Sequence, residues 1–288
     1  MIIPDITNPF FPSVVRGAED ASRQRGYTII LCNSDNRISK ELDYLEILRA
    51  KGVDGILLIL SPEGRTHKTV DALRQLRIPI VCLDRTPERE CADSVVVENA
   101  GGAFRAVNHL LGLGHRKIAI LTGPLNLINA KERLKGYRRA LAKWSVSIPS
   151  SFVQEGEFDI ASGRQLGQLL ITLRPRPTAV FSCNNLMTLG LVKAIRDAKL
   201  RCPDDIAVVS FDDLPWWETL HPSISAVAQP VYRMGVEGAT LLVDRIEGKR
   251  KGAFVQRSLP TKLIVRESSN SKYSEGSSSG TNEDRRRS

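Results

Sequence analysis

The side chains able to do chemistry in this chain stand just after short apolar runs. Asn8, Phe10 and Phe11 follow the N-terminal run, Ser61 follows Gly55–Leu60, and Asp84 and Arg85 follow Ile78–Leu83. Asn129 and Arg133 come after Lys117–Leu121, Phe158 after Ser151–Glu155, and Asn184 with Asn185 after Thr178–Cys183. Asp212 and Asp213 follow Ile206–Phe211, and Gln229 follows Ile224–Ala228. These are planar amides, carboxylates, guanidinium groups and phenyl rings. Asp and Asn pair with vicinal hydroxyls, and Arg donates in a rigid fork. A phenyl face covers the C–H face of a furanose or pyranose. Together such groups hold a small polyhydroxylated molecule and exclude water. An analogue lacking the hydroxyls would leave buried polar groups unpaired. Arg85 and Arg133 could also meet a phosphate, so the residue types leave a phosphorylated ligand open.

Other chemistries find no support. No Ser–His–Asp or Cys–His set falls at these positions, and none of His67, His109, His115 and His221 joins them; no catalytic residue is assigned and no enzyme is expected. The five Cys form no C-x-x-C pair, and Cys32, Cys82 and Cys183 end apolar runs as small buried hydrophobes do. A reducing compartment is expected, with neither a disulfide framework nor a metal site. Gly112 and Gly114 lack the third Gly of a dinucleotide fingerprint, so no cofactor is expected.

The elements that must position these groups alternate. The β-branched runs Tyr27–Cys32, Gly55–Leu60, Ile78–Leu83, Ser94–Val97, Lys117–Leu121, Thr178–Cys183 and Ile206–Phe211 read as strands buried on both faces. Helical stripes lie between most of them. Phe11, Val14, Val15, Ala18 and Ala21 share one face of a helix with Asn8 as cap, Pro9 as first residue and Gly26 as stop. Further stripes run through Leu42, Leu45 and Leu48, through Ala106, Leu110 and Leu113, through Leu134, Tyr137 and Leu141, and through Leu166, Leu169 and Leu170. This alternation is the mark of parallel α/β sheets with right-handed crossovers. It runs too long for one small sheet, and an eight-unit barrel would have closed; two sheets are expected, with a break where Glu98-Asn99-Ala100-Gly101-Gly102 interrupts the rhythm. A long helix over about 231–248 could return to the first domain. In such sheets ligands bind outside the carboxyl ends of the strands, where the polar set lies.

The 288 residues carry 42% hydrophobic and 25% charged side chains, a globular balance. The net charge of +9 lies on the folded part, since from Glu267 onward four Lys and Arg meet four Asp and Glu. The basic residues are scattered, which suits a solvated surface better than a nucleic-acid patch. No apolar run reaches the roughly 18 residues of a membrane helix, and Met1–Asp5 shows no signal segment; a cytoplasmic protein is expected. From Ser268 the Ser- and Gly-rich tail reads as disordered, Arg285–Arg287 included.

The ordered motifs resemble the effector domain of lactose/galactose-type (LacI/GalR) repressors. They are Ile2–Phe11, Gly52–Leu58, Leu111–Ile118, Arg133–Tyr137, Arg176–Phe181, Val209–Asp213 and Val227–Pro230, spanning about residues 1–267. The resemblance implies a periplasmic-binding-protein-like (type I) fold of two Rossmann-like subdomains with parallel sheets and three crossovers. It implies an N-terminal subdomain over 1–98 plus 231–258, a C-terminal one over 99–230 plus 259–267, and a tail over 268–288. The aligned pocket positions are Phe10, Phe11, Asp84, Arg85, Arg133, Phe158, Asn184, Asp212 and Gln229, with Asn8 and Ser61 at the edge. The Asp84-Arg85 pair is closer to ribose-type binders than to the purine-responsive branch. A sugar effector, a homodimer and allosteric control of operator DNA through an N-terminal head follow from the family; this stretch itself carries no such head.

Several residues have a second reading. Phe11 serves packing as well as it would serve a ligand, and Asp84 could cap the next element. Asp213 reads as structural, and one of Trp216 and Trp217 either walls the pocket or packs the loop. His67, His109 and His115 read as surface or helix-end groups. The rival functions are a sugar-binding protein of a transport system, opposed by the missing signal, and a sugar- or nucleotide-acting enzyme, opposed by the missing nucleophile.

Overall fold

The apolar runs become the strands of two six-stranded sheets, in a computed structural model that describes residues 1–63, 67–87 and 91–270. The first sheet contains β1 (Ile2–Ile3), β2 (Cys32–Asn33), β3 (Ile56–Leu58), β4 (Ile80–Leu83), β5 (Asp93–Val97) and β11 (Gln256–Leu259). The second contains β6 (Ile118–Thr122), β7 (Val153–Glu155), β8 (Ala179–Ser182), β9 (Ala207–Phe211), β10 (Ser225–Ala228) and β12 (Lys262–Ile264). Their orders are β11-β5-β4-β3-β1-β2 and β12-β10-β9-β8-β6-β7. Each sheet therefore winds outward in both directions from its first strand, the Rossmann-like arrangement whose ligand crevice lies where the winding reverses. All pairings are parallel except β10 with β12. The inner strands are buried on both faces, β6 and β9 along their whole length, which is why they read as unbroken apolar runs.

Helices α1 (Phe10–Arg23) and α8 (Val231–Ile246) pack together, and α8 lies on β3, β4 and β5 of the first sheet. The α1–α8 crossing brings backbone against backbone: a Cβ on Gly17 would collide with the Tyr232 carbonyl, and one on Gly235 with that of Val14. In the first lobe α2 (Ile38–Ala50) and α3 (His67–Gln75) touch each other. The second lobe pairs α4 (Asn99–Gly112) with α5 (Ile128–Lys143), and α6 (Ile160–Thr172) with α7 (Asn185–Asp197). The chain passes between the sheets three times: from β5 into α4, from β10 into α8, and from β11 into β12. No helix among the described residues is long and apolar enough to cross a membrane.

Four local expectations change. Tyr27–Cys32 is not a buried strand: β2 spans only Cys32–Asn33, while Ile30 and Leu31 are 54% and 40% exposed. It is the edge of its sheet, so its β-branched residues have a partner on one side only. The chain does change sheets at Glu98–Gly102, between β5 and α4, but with no break in regular structure, because α4 begins at Asn99; a Cβ on Gly102 would sit 2.7 Å from Thr261 Oγ1, so glycine serves close packing inside the helix. The first helix begins at Phe10, with Pro9 in the cap position and Asn8 Oδ1 accepting from Phe10 N at 3.0 Å. The expected tail starts too early at Ser268: Ser268 and Ser269 are fully buried, with Ser268 Oγ donating to Val208 O at 2.7 Å. Residues 271–288, with Arg285–Arg287, lie outside the described residues.

Candidate functional site

The carboxyl ends of both sheets face one cleft, and the polar set converges there. Asn8, Phe10 and Phe11 enter it from the start of α1; the two rings meet edge to face at 5.1 Å. Both rings also belong to the first lobe's core, so Phe11 serves packing and cleft at once. Asp84 and Arg85 leave the end of β4, Asn129 and Arg133 project from α5, and Phe158 follows β7. Asn184 caps α7, Asp212 leaves β9 and Gln229 leaves β10.

Three of these residues hold a left-handed backbone: Asp84 at φ 60°, Phe158 at φ 60° and Asp212 at φ 77°. Each costs about 1–3 kcal/mol outside glycine, and such strain collects at sites where a side chain must be aimed. Neighbouring bonds fix it. Asp84 N donates to Val95 O at 2.9 Å and Asp212 N to Val227 O at 3.0 Å. Trp217 Nε1 donates to Asp212 O at 3.0 Å, and Asn184 Nδ2 to Phe158 O at 2.8 Å. Trp217 is fully buried among Leu214, Ile224 and Ala226 while Trp216 is exposed; neither walls the cleft.

Two carboxylates and two guanidinium groups share the site, with one ion pair, Asp84 with Arg85, among them. Asp84 Oδ2 accepts from Asn129 Nδ2 at 3.2 Å and lies 3.5 Å from Arg85 Nε, while Arg85 Nη1 donates to Leu60 O at 2.7 Å. Arg133 Nε donates to Asn99 Oδ1 at 2.8 Å, its Nη1 to Cys183 O at 2.5 Å, and the guanidinium lies 3.8 Å over the Phe211 ring. Asp212 Oδ1 accepts from Gln229 Nε2 at 2.5 Å and Oδ2 from Asn185 N at 3.3 Å. Burial pushes the Asp212 carboxyl above the usual range, against the opposing pull of Arg133 and the Gln229 bond. Burial also lowers Arg85, which Asp84 opposes.

Bonds cross the cleft from lobe to lobe. Besides Asn129 to Asp84, Asn185 Nδ2 donates to Asn8 Oδ1 at 2.9 Å and Asn126 Nδ2 to Pro62 O at 3.0 Å. The space enclosed by the converging side chains is about 30 Å³, far below the roughly 300 Å³ of pockets that take small molecules. A ligand enters only as side chains or lobes move. A basin of about 740 Å³ lies beyond Asp84, beside β5, β11, α4 and α5, and shares only that residue with the expected set.

Ser61 does not line the cavity. It is fully buried behind Arg85, its N–H donating to Glu41 Oε2 at 2.6 Å. Two further contributors are Asn185, which stands after an apolar run but is not among the aligned pocket positions, and Glu41, which sequence reasoning does not place in the site. Asn185 had a signal, its position after β8; Glu41 had none, since a carboxylate on an amphipathic helix ordinarily faces water. Asp213 is structural, paired with Arg266 at 2.7 and 3.1 Å. His115 is buried against Thr178 Oγ1 at 2.9 Å rather than on the surface, and His109 meets Ser269 Oγ at 2.9 Å; the side chain of His67 lies outside the described residues. Among the described residues no His, Cys, Asp and Glu cluster could hold a metal ion.

Buried polar atoms without a hydrogen-bond partner gather at this place: Asp84 Oδ1, Arg85 Nε and Gln229 Oε1 at the cavity, with Ser61 Oγ and Glu41 Oε1 just behind. Such groups are costly unless something completes them.

Comparison with known proteins gives consistent results. Residues 107–269 match the periplasmic binding protein-like domain family. A ribose operon repressor of Halalkalibacterium halodurans is 35% identical over 267 residues, which are 93% of this chain and 78% of that protein. The transcriptional repressor PurR of Photobacterium profundum is 32% identical, over 93% of this chain and 80% of its own. A LacI-family regulator from Enterococcus faecium, solved with bound ribose, superposes with a TM-score of 0.81 at 30% identity, covering 93% and 96% of the two chains.

Proposed function

The chain belongs to the LacI/GalR family of transcription regulators and is an effector-sensing regulatory domain of that family; from this premise we propose that its effector is a small sugar held between the two lobes by the residues described above. The observation that carries the reading is the set of unfilled polar atoms around one closed cleft, Asp84 Oδ1, Arg85 Nε and Gln229 Oε1. They mix acceptors with a donor. A hydroxyl both donates and accepts, so vicinal hydroxyls complete them, while Phe10, Phe11 and Phe158 offer faces for the ring carbons. The relative with bound ribose supports the same ligand class.

On this reading the lobes are residues 1–98 with 231–258 and residues 99–230 with 259–267. Sugar bridges them and favours the closed cleft, as it must bind one state better than the other to act. In a homodimer, closure rotates the first lobes relative to each other and changes the spacing of DNA-binding heads on operator DNA. The expected compartment is the cytoplasm, where such DNA lies, and no turnover of the bound sugar is expected.

Titration calorimetry and thermal melting with pentoses and hexoses test the reading. A binding sugar at a hundred times its Kd raises stability by about 2.7 kcal/mol. Melting curves that move only with nucleobases or amino acids would refute it.

A further inference from the structure

We propose that the effector is an uncharged polyhydroxyl molecule and that its phosphorylated and carboxylated counterparts are excluded; this rests on the sugar reading above and narrows it.

Three helices begin at the cleft: α1 at Phe10, α5 at Ile128 and α7 at Asn185. A helix N-terminus offers free N–H groups and positive potential, the usual seat for phosphate. At α1 and α7 the protein's own oxygens occupy those seats, and at α5 they take the seat at Ala130 N. Asn8 Oδ1 accepts from Phe10 N at 3.0 Å, and Asn129 Oδ1 from Ala130 N at 2.9 Å. On α7, Asn184 Oδ1 accepts from Met187 N at 2.9 Å and Asn185 Oδ1 from Leu186 N at 2.7 Å. The carboxylate of Asp212 takes the remaining place, accepting from Asn185 N at 3.3 Å. The anion at the α7 terminus is therefore a residue of the chain itself.

The side-chain charges agree. Arg85 and Arg133 are matched by Asp84 and Asp212, all four 7% exposed or less. Each guanidinium already serves the protein, Arg85 at Leu60 O and Arg133 at Asn99 Oδ1 and Cys183 O. An incoming phosphate brings negative charge beside two carboxylates with no surplus cation to meet it. Two of the three unfilled atoms at the cavity ask for the opposite chemistry, while the third, Arg85 Nε, is a donor that a hydroxyl oxygen can meet as well. Asp84 Oδ1 and Gln229 Oε1 are acceptors and require donors, which hydroxyls supply and a phosphate dianion does not.

The test is calorimetry on the protein with matched pairs, D-ribose against D-ribose 5-phosphate and D-glucose against D-glucose 6-phosphate, with inorganic phosphate as competitor. The expected result is a neutral sugar binding at least about tenfold tighter than its ester, since like-charge juxtaposition in a closed site is costly, and no competition by phosphate. An ester that binds as tightly as its parent, or phosphate that competes, overturns the inference while leaving sugar binding intact. A panel in which neither form of any sugar binds removes both. The variant Asp212→Asn keeps the shape and loses the charge; it should narrow the ratio between sugar and ester, and an unchanged ratio overturns the role given to Asp212.

Discussion

Asn185 and Asn8 are joined across the cleft: Nδ2 of the first donates to Oδ1 of the second at 2.9 Å. Each is also bound into its own lobe, Asn8 through Phe10 N and Asn185 through Asp212 Oδ2. The pair therefore ties the start of α1 to the start of α7 and holds the lobes near each other.

Asn185→Ala removes that tie. Sugar affinity should fall about tenfold, and stability by about 1–2 kcal/mol because Asn185 is fully buried. The bond is isolated by a double-mutant cycle with Asn8→Ala: the combined loss in affinity should be smaller than the sum of the two. Strictly additive losses would show that the contact carries no coupling.

Trp217→Phe keeps an aromatic ring at the buried position, smaller than the indole and so leaving some cavity, and deletes the N–H that meets Asp212 O at 3.0 Å. The left-handed Asp212 then loses a restraint. Urea unfolding should show a loss of about 1–2 kcal/mol, accompanied by weaker sugar binding. Unchanged affinity at lower stability would assign Trp217 to packing alone.

Gly123→Ala places a methyl group where the Phe158 ring now lies. The ring is the movable party, so it swings away and uncovers the sugar face. Affinity should fall by about tenfold or more while the melting temperature shifts by only a few degrees. Comparable proportional losses in both would mean that the backbone, and not the ring, gives way.

Glu41→Gln is a test in pH. Burial raises the Glu41 carboxyl above its usual range, opposed by the Ser61 N–H and by Arg85. The folded chain therefore keeps this proton over a pH interval in which the unfolded chain has lost it. The associated stability is present below the ordinary carboxylate range and is lost as pH rises through the folded value. Gln has no proton to lose. The variant should melt above the parent at neutral pH, and the gap should shrink as pH falls toward 4. A gap that widens in acid would mean that the carboxylate is held charged.

Much of this architecture is legible in the residue order, for a physical reason. Strands covered on both faces must be continuously apolar, so β6, β8 and β9 announce themselves, and a polar residue just beyond each, such as Asn184 or Asp212, stands out. Edge strands lack that constraint, and Tyr27–Cys32 misleads because its β-branched residues satisfy only one neighbour. Glu98–Gly102 does mark the change of sheet, but its glycine serves helix packing against Thr261 and not a loop. The gathering of Asn8, Asp84 and Gln229 follows from loops at the sheets' carboxyl ends, and Arg133 reaches them from the first turns of α5. The support around them does not: Glu41 and Trp217 act through tertiary contacts that no local pattern encodes.

The triple passage between the sheets has a consequence for synthesis. When the chain has been made as far as Ala228, the second sheet has all its strands but β12, yet the first still lacks β11 and α1 still lacks α8. The apolar faces of Val14 and Ala18, buried in the finished protein, must wait for residues that leave the ribosome more than two hundred positions later. The half of the molecule made first thus stays incomplete until nearly all of the described chain has emerged, and that interval is when a newborn chain is most exposed to aggregation.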